Sequence, residues 1–216
     1  VRRVVIVGNS GSGKTTLAEM VGHRLGVPHV ELDALHHQAG WTPTPPHHLR
    51  EGVRGALDAA DAAAGGWVVC GNYPAVRSTI WTRADTIVWL DLPRRVVMRR
   101  VVVRSFGRVA RREELWNGNR ESARMLLALH DPERSVIRWA WDAVEGYRER
   151  YVPMMASTTW SDLRWYRLRS PDEVAQWLER VNPPTSDLRA LSEAGLARSG
   201  RPLTAVSVST DSSTRQ

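Results

Sequence analysis

Short apolar runs alternate with longer amphipathic stretches along most of the chain. Residues 3–7 (Arg3-Val4-Val5-Ile6-Val7) read as a buried strand, and residues 29–32 (His29-Val30-Glu31-Leu32) as a short second strand ending in Asp33. Trp67-Val68-Val69-Cys70 reads as a third strand. Thr86-Ile87-Val88-Trp89-Leu90-Asp91 reads as a fourth, apolar enough to be buried on both faces as a central parallel strand must be. Trp165-Tyr166-Arg167-Leu168 supplies a fifth. Between them the apolar period turns helical: over residues 16–21, from Pro45 or Pro46 to about Ala63 before Gly65-Gly66, and from Pro93 onward. Helical pattern resumes at Ser122, and again from Ser135 to Tyr151, where Ile137, Trp141 and Val144 recur at helical spacing. A last helix opens at Ser170-Pro171. Over residues 105–121 the period fades, which predicts a mobile, basic flap. Beyond Asn182 the chain turns to Pro, Ser, Thr, Gly and Arg, which predicts a disordered tail over residues 183–216 after a domain of residues 1–182.

The strand at 3–7 and the helix at 16–21 enclose Gly8-Asn9-Ser10-Gly11-Ser12-Gly13-Lys14-Thr15, an ungapped match to the phosphate-loop pattern G-x-x-x-x-G-K-[ST]. Strand, glycine loop and helix are what the chemistry requires. The glycines let successive N–H groups turn inward, and the helix N-terminus adds partial positive charge where a polyphosphate would sit. Residues 8–16, Gly8 through Thr16, are therefore the predicted ATP contacts. Lys14 is placed to reach the β- and γ-phosphates, and Thr15 to hold Mg²⁺. Lys14 is also the only lysine in the chain, every other cationic side chain of that kind being arginine. A chain that otherwise uses arginine keeps a lysine where a compact ammonium is needed.

The 216 residues suffice for one α/β domain and not for two, and 42% hydrophobic with 25% charged residues is ordinary for a globular protein. No apolar run approaches the length of a membrane span. With strand pattern starting at once, no signal peptide is expected. A single cysteine, Cys70, excludes an internal disulfide and fits a cytoplasmic protein. The net charge of +7 admits a nucleic-acid partner. Many arginines, however, cluster between Arg94 and Arg124, and beside a phosphate loop this favours a small polyanionic substrate.

Asp33, at the predicted end of the second strand, faces the expected ligand crevice and is a candidate general base and Mg²⁺ partner. Asp91 ends a hydrophobic strand but is ranked second to it. His36-His37 and His47-His48 read as surface loop rather than metal site, because adjacent histidines do not share one face. Trp41 and Tyr73 are candidates to stack on a substrate ring. Arg100, Arg104 and Arg120 are the chosen phosphate contacts, with Arg108, Arg111 and Arg112 assigned to general attraction.

Asp33 through Trp41, Gly71-Asn72-Tyr73, Leu90-Asp91-Leu92-Pro93 and Trp116-Asn117-Gly118-Asn119-Arg120 together resemble the adenylate-kinase-like P-loop kinases often labelled DNA topology modulation proteins, over roughly residues 1–180. The resemblance implies a three-layer fold, a parallel five-stranded sheet flanked by helices, with an ATP site and an arginine-rich lid at about 104–121. It also implies that Gly71, Asn72, Tyr73 and Arg77 meet the substrate. Cys70 departs from the pattern, since related kinases often carry there an aspartate that positions Mg²⁺. The expected function is transfer of the ATP γ-phosphoryl group to a small, nucleoside- or nucleotide-like acceptor. An ATP-dependent nucleic-acid protein, or a kinase acting on a polynucleotide, is the alternative. A switch protein needs further elements to sense the γ-phosphate, which this length leaves little room for.

Overall fold

A computed structural model describes residues 1–128, 130–131 and 135–181. The strands are β1 (Arg3–Gly8), β2 (His29–Glu31), β3 (Trp67–Cys70), β4 (Thr86–Leu90) and β5 (Arg164–Leu168), all paired in parallel in the order β2-β3-β1-β4-β5. Among the described residues the helices are α1 (Lys14–Leu25), α2 (Leu32–His36), α3 (Pro46–Ala64), α4 (Arg77–Trp81), α5 (Arg94–Arg111), α6 (Ala123–Leu127), α7 (Val136–Ala156) and α8 (Pro171–Arg180). None of them is long and apolar enough to cross a membrane.

Side-chain alternation in the central strands builds two cores, one on each face of the sheet. Val5, Val7, Val69, Ile87 and Trp89 pack with Leu49, Val53 and Leu57 of α3 and with Tyr147 and Tyr151 of α7. Val4, Ile6, Val68, Val88 and Leu90 face the other way, onto Leu17, Ala18 and Val21 of α1 and Trp177 and Leu178 of α8. Helices, sheet and helices thus form three layers, as the sequence predicts. A third, smaller cluster of Leu92, Val97, Val101 and Ala140 joins α5 to α7. The helix ends carry local signals. Ser122, Ser135 and Ser170 each accept a backbone N–H at the start of α6, α7 and α8, and Gly26 closes α1 at φ 63°.

The structure departs from the sequence reading at several points. β2 stops at Glu31, and Asp33 lies in the first turn of α2 rather than at a strand end. The stretch around His36-His37, read from sequence as surface loop, is partly helical, with a tight turn over Ala39–Trp41. α4, starting at Arg77, has no counterpart among the predicted elements. α5 continues through Gly107 to Arg111, so the first part of the expected flap is regular helix. α7 extends past Tyr151 to Ala156. Asp91, just beyond β4, is buried between Arg148 of α7 at 2.9 Å and Arg167 of β5 at 2.5 Å. It links the elements around the sheet edge and does not line the cavity described below. The expected tail, residues 183–216, lies outside the described residues.

Candidate functional site

The parallel strands end together beside the glycine loop, and a cavity of about 1120 Å³ opens there. Ser10, Gly11, Gly13, Lys14, Thr15 and Thr16 form one wall of it. The loop can take its path because Gly11 and Gly13 have φ of 76° and 94°, conformations that L side chains rarely adopt. At Gly11 space also decides. A Cβ there would collide with Val101 Cγ2 and lie 2.8 Å from the Val97 carbonyl oxygen, so α5 packs directly on the loop. Lys14 Nζ donates to the Asn9 carbonyl at 2.9 Å. Burial lowers the Lys14 pKa, while the charges of Asp33 and Glu31 oppose that shift.

Two asparagines brace the loop. Asn9 Nδ2 donates to the Ala140 carbonyl in the core, and Asn9 Oδ1 accepts the Ser10 N–H. Asn72 clasps Gly8 from both sides, with Oδ1 accepting its N–H at 3.0 Å and Nδ2 donating to its carbonyl at 2.6 Å. The remaining Asn72 capacity goes to the hydroxyls of Tyr147 and Tyr151. An amide has two donors and two acceptor sites, so all of Asn72 is engaged. Asn72 lines the cavity, as expected, but its side chain has no bond left for a substrate.

Three side chains cluster beside Thr15. Its hydroxyl donates to Glu31 Oε1 at 3.0 Å and lies 3.9 Å from Cys70 Sγ. Cys70 is buried, and its Sγ sits 3.1 Å from His29 Nε2. Burial, then the Glu31 charge, pushes the thiol pKa up to about 12, so the sulfur stays protonated at neutral pH. Asp33 also faces the cavity, where its Oδ1 accepts the Tyr73 hydroxyl proton and its charge is felt at Lys14. His36 and His37, read from sequence as surface loop, belong instead to this wall. The His36 ring lies 4.4 Å from that of Tyr73, and His37 Nε2 lies 3.4 Å from the Tyr73 oxygen. Burial lowers both histidine pKa values. His47 and His48 are exposed on α3, away from the cavity.

The far wall comes from α5 and the segment after it. Arg100 Nη1 donates to the Ser12 carbonyl at 3.3 Å, and Arg104 Nη2 to Ser10 Oγ at 2.9 Å, so both already touch the loop. Burial and then the neighbouring Arg108 charge lower the Arg104 pKa. The segment 112–121 is docked onto the α2 region. Trp116 Nε1 donates to Glu31 Oε2 at 2.8 Å, and Asn117 Nδ2 donates to the carbonyls of Ala34 and His37. Asn119 Oδ1 accepts the Trp41 N–H, and its Nδ2 donates to the Gln38 carbonyl. An isolated bridge between Glu114 and Arg120 closes the turn.

Of the expected site residues, Ser10, Gly11, Gly13, Lys14, Thr15 and Thr16 of the loop meet Asp33, Trp41, Gly71, Asn72, Tyr73, Arg100 and Arg104 around the cavity, whereas Gly8, Asn9 and Ser12 do not line it, Asn9 and Ser12 being buried behind the loop. Arg120 does not line it; its side chain is 54% exposed and pairs with Glu114. Nor does Arg77, whose guanidinium lies over the Trp81 ring. Sequence reasoning passes over Glu31, Trp116 and Tyr147 as site residues, all of which line the cavity. Glu31 carries a usable signal, since it is the one carboxylate within the second apolar run. Arg108, assigned from sequence to general attraction, lines the wall and pairs with Glu121 at 3.2 Å.

The five-stranded parallel sheet, with a glycine loop between its middle strand and the first helix, is a three-layer α/β fold built around a phosphate-loop motif. No family model and no curated protein matches the chain. Among solved structures it is similar to an unliganded sugar kinase from a Janibacter species, at 20% identity and a TM-score of 0.45 over 91% of this chain and 96% of that one. It is also similar to a shikimate kinase from Bacteroides thetaiotaomicron, at 14% identity and a TM-score of 0.46 over 90% and 99%. At these scores neither likeness bears on the reading of the site.

Proposed function

We propose that this chain is an ATP-dependent phosphotransferase acting on the hydroxyl of a small acceptor of nucleoside or nucleotide type. The observation that carries this is one cavity with two unlike walls. The glycine loop with Lys14 and Thr15 forms one, and a carboxylate, aromatic rings and arginines form the other. At about 1120 Å³ it exceeds the roughly 300–1,000 Å³ usual for a single small ligand. A polyphosphate and a second molecule can share it.

In this mechanism the loop N–H groups, Lys14, Arg100 and Arg104 hold the phosphates and meet the charge that develops in transfer. Asp33 receives the acceptor's hydroxyl proton through its Oδ2, while Tyr73 holds Oδ1. The acceptor oxygen bonds the γ-phosphorus as the bond from that phosphorus to the β–γ bridging oxygen breaks, and that electron pair leaves with ADP. Trp41 and Trp116 offer ring faces to a planar acceptor. Mg²⁺ suits the hard oxygen donors beside the phosphates, the Thr15 hydroxyl first; bound there, it would neutralise phosphate charge. The proposed kinship with the DNA topology modulation group rests on the sequence motifs alone.

A screen of nucleosides, nucleotides and small hydroxyl compounds for acceptor-dependent ATP consumption tests the assignment. Asp33→Asn is expected to lower turnover on the best acceptor by about a hundredfold, with ATP affinity nearly unchanged. Equal losses in ATP binding and turnover would make Asp33 a structural residue instead.

A further inference from the structure

Resting on the phosphotransferase reading, we propose that Glu31 is the metal-side carboxylate of this site. With the Thr15 hydroxyl it holds a hard divalent cation of the Mg²⁺ type, in the role that Cys70 cannot fill.

Strand register is the first ground. β2 and β3 run in parallel with Glu31 paired to Cys70, so the two residues stand side by side at the same end of the sheet. A carboxylate is therefore fixed beside the thiol at the rim where the Thr15 hydroxyl reaches both. Cys70 is a poor ligand for such a cation. Its sulfur is soft, whereas hard divalent cations take oxygen donors.

Hydrogen-bond direction is the second ground. A hydroxyl has one proton to give and two lone pairs. Thr15 gives its proton to Glu31 Oε1, which leaves its lone pairs for a cation on the cavity side. The other carboxylate oxygen, Oε2, accepts the Trp116 Nε1 proton, so the group is held from both ends. Held ligands bind metals better than loose ones, and supporting contacts of this kind typically change metal affinity by about 10–100-fold. Asp33, the residue the sequence reading favours for this role, instead accepts the Tyr73 hydroxyl proton at its Oδ1. The two carboxylates then divide the work, Glu31 serving the cation and Asp33 the acceptor. Through Trp116, Glu31 also joins the cation site to the docked segment that forms part of the far wall, so cation binding and the seating of that segment are coupled.

The test is calorimetric binding of a nonhydrolysable ATP analogue to the full chain, with Mg²⁺ and with chelator, read as the ratio of the two affinities. In the unaltered protein Mg²⁺ is expected to tighten binding. Glu31→Gln is expected to shrink that ratio by about 10–100-fold while leaving the chelator affinity in place, which also verifies folding. Glu31→Asp should fall between the two. Asp33→Asn should keep the ratio, and Cys70→Asp added to Glu31→Gln should regain part of it. An undiminished ratio in Glu31→Gln, or a ratio abolished by Asp33→Asn and spared by Glu31→Gln, would overturn the assignment. If the unaltered protein binds the analogue equally with and without Mg²⁺, the Glu31 role fails and the nucleotide site survives. If it binds the analogue in neither condition, the phosphotransferase reading itself fails.

Discussion

Asn72 illustrates how a residue's chemistry in a folded site can differ from its place in a motif. From sequence it stands between Gly71 and Tyr73 as a substrate contact; folded, it spends every donor and acceptor on Gly8 and two tyrosine hydroxyls. Asn72→Ala is expected to cost about 1–3 kcal/mol in denaturant unfolding, because buried partners lose their bonds, and to weaken ATP binding as the loop loosens. Unchanged stability would show that the clasp is not needed. His29 gives a pH prediction. Burial lowers its pKa below the reference 6.5. As pH falls below about 6.5 the unfolded chain takes up this proton before the folded one does, so stability drops until the folded pKa is passed, then levels. His29→Gln should flatten that part of the stability profile; an identical slope in the variant would contradict it. Lys14, Thr15, Asp33 and Tyr73 are legible as site residues because motif and residue type name them. Glu31 is passed over, although it is the one carboxylate in the second apolar run, because the period places the strand's end two residues too late.

At the scale of elements, long periodic segments are readable and short or interrupted ones are not. α1, α3 and the central strands follow from apolar spacing, but α2 and α4 have five residues each, too few to show a period. Gly107 and the arginines around it weaken the helical pattern of α5, although the structure carries the helix on to Arg111. That extension matters for function. Arg104 sits on a regular helix packed against the loop, while Arg120 lies outside the cavity wall. Arg104→Ala is accordingly expected to lower ATP turnover by about tenfold or more, and Arg120→Ala to change it little. If the arginines served a polynucleotide instead, both variants would keep basal ATP turnover and lower the slope of log affinity against log salt by about one for each phosphate no longer neutralised. Turnover and salt slope measured on both variants separate the outcomes.

For the whole molecule, sheet order decides what the site can contain. Parallel strands in the order β2-β3-β1-β4-β5 bring the ends of β1, β2 and β3 to one rim, where loop, carboxylates and thiol meet. The class of fold can be read from alternating strands and helices around a glycine loop. What cannot be read is the docking of residues 116–119 onto the region of α2, across about eighty positions of sequence. Local periodicity carries no information about such separations. Asp91 is another instance, a strand-end carboxylate that resembles a catalytic one in sequence and is taken up by Arg148 and Arg167 in the fold. The central claim is that this rim transfers a phosphoryl group and needs Lys14 to do so. Its most direct test follows label from γ-labelled ATP into the acceptor found by screening, in the unaltered protein and in Lys14→Ala at equal folded concentration. Label should move to the acceptor in the former and fall by about a hundredfold to a thousandfold in the latter, as when a charge-stabilising donor is removed. Near-equal transfer in the variant, or ATP binding with no label passed to any hydroxyl acceptor, would contradict the account.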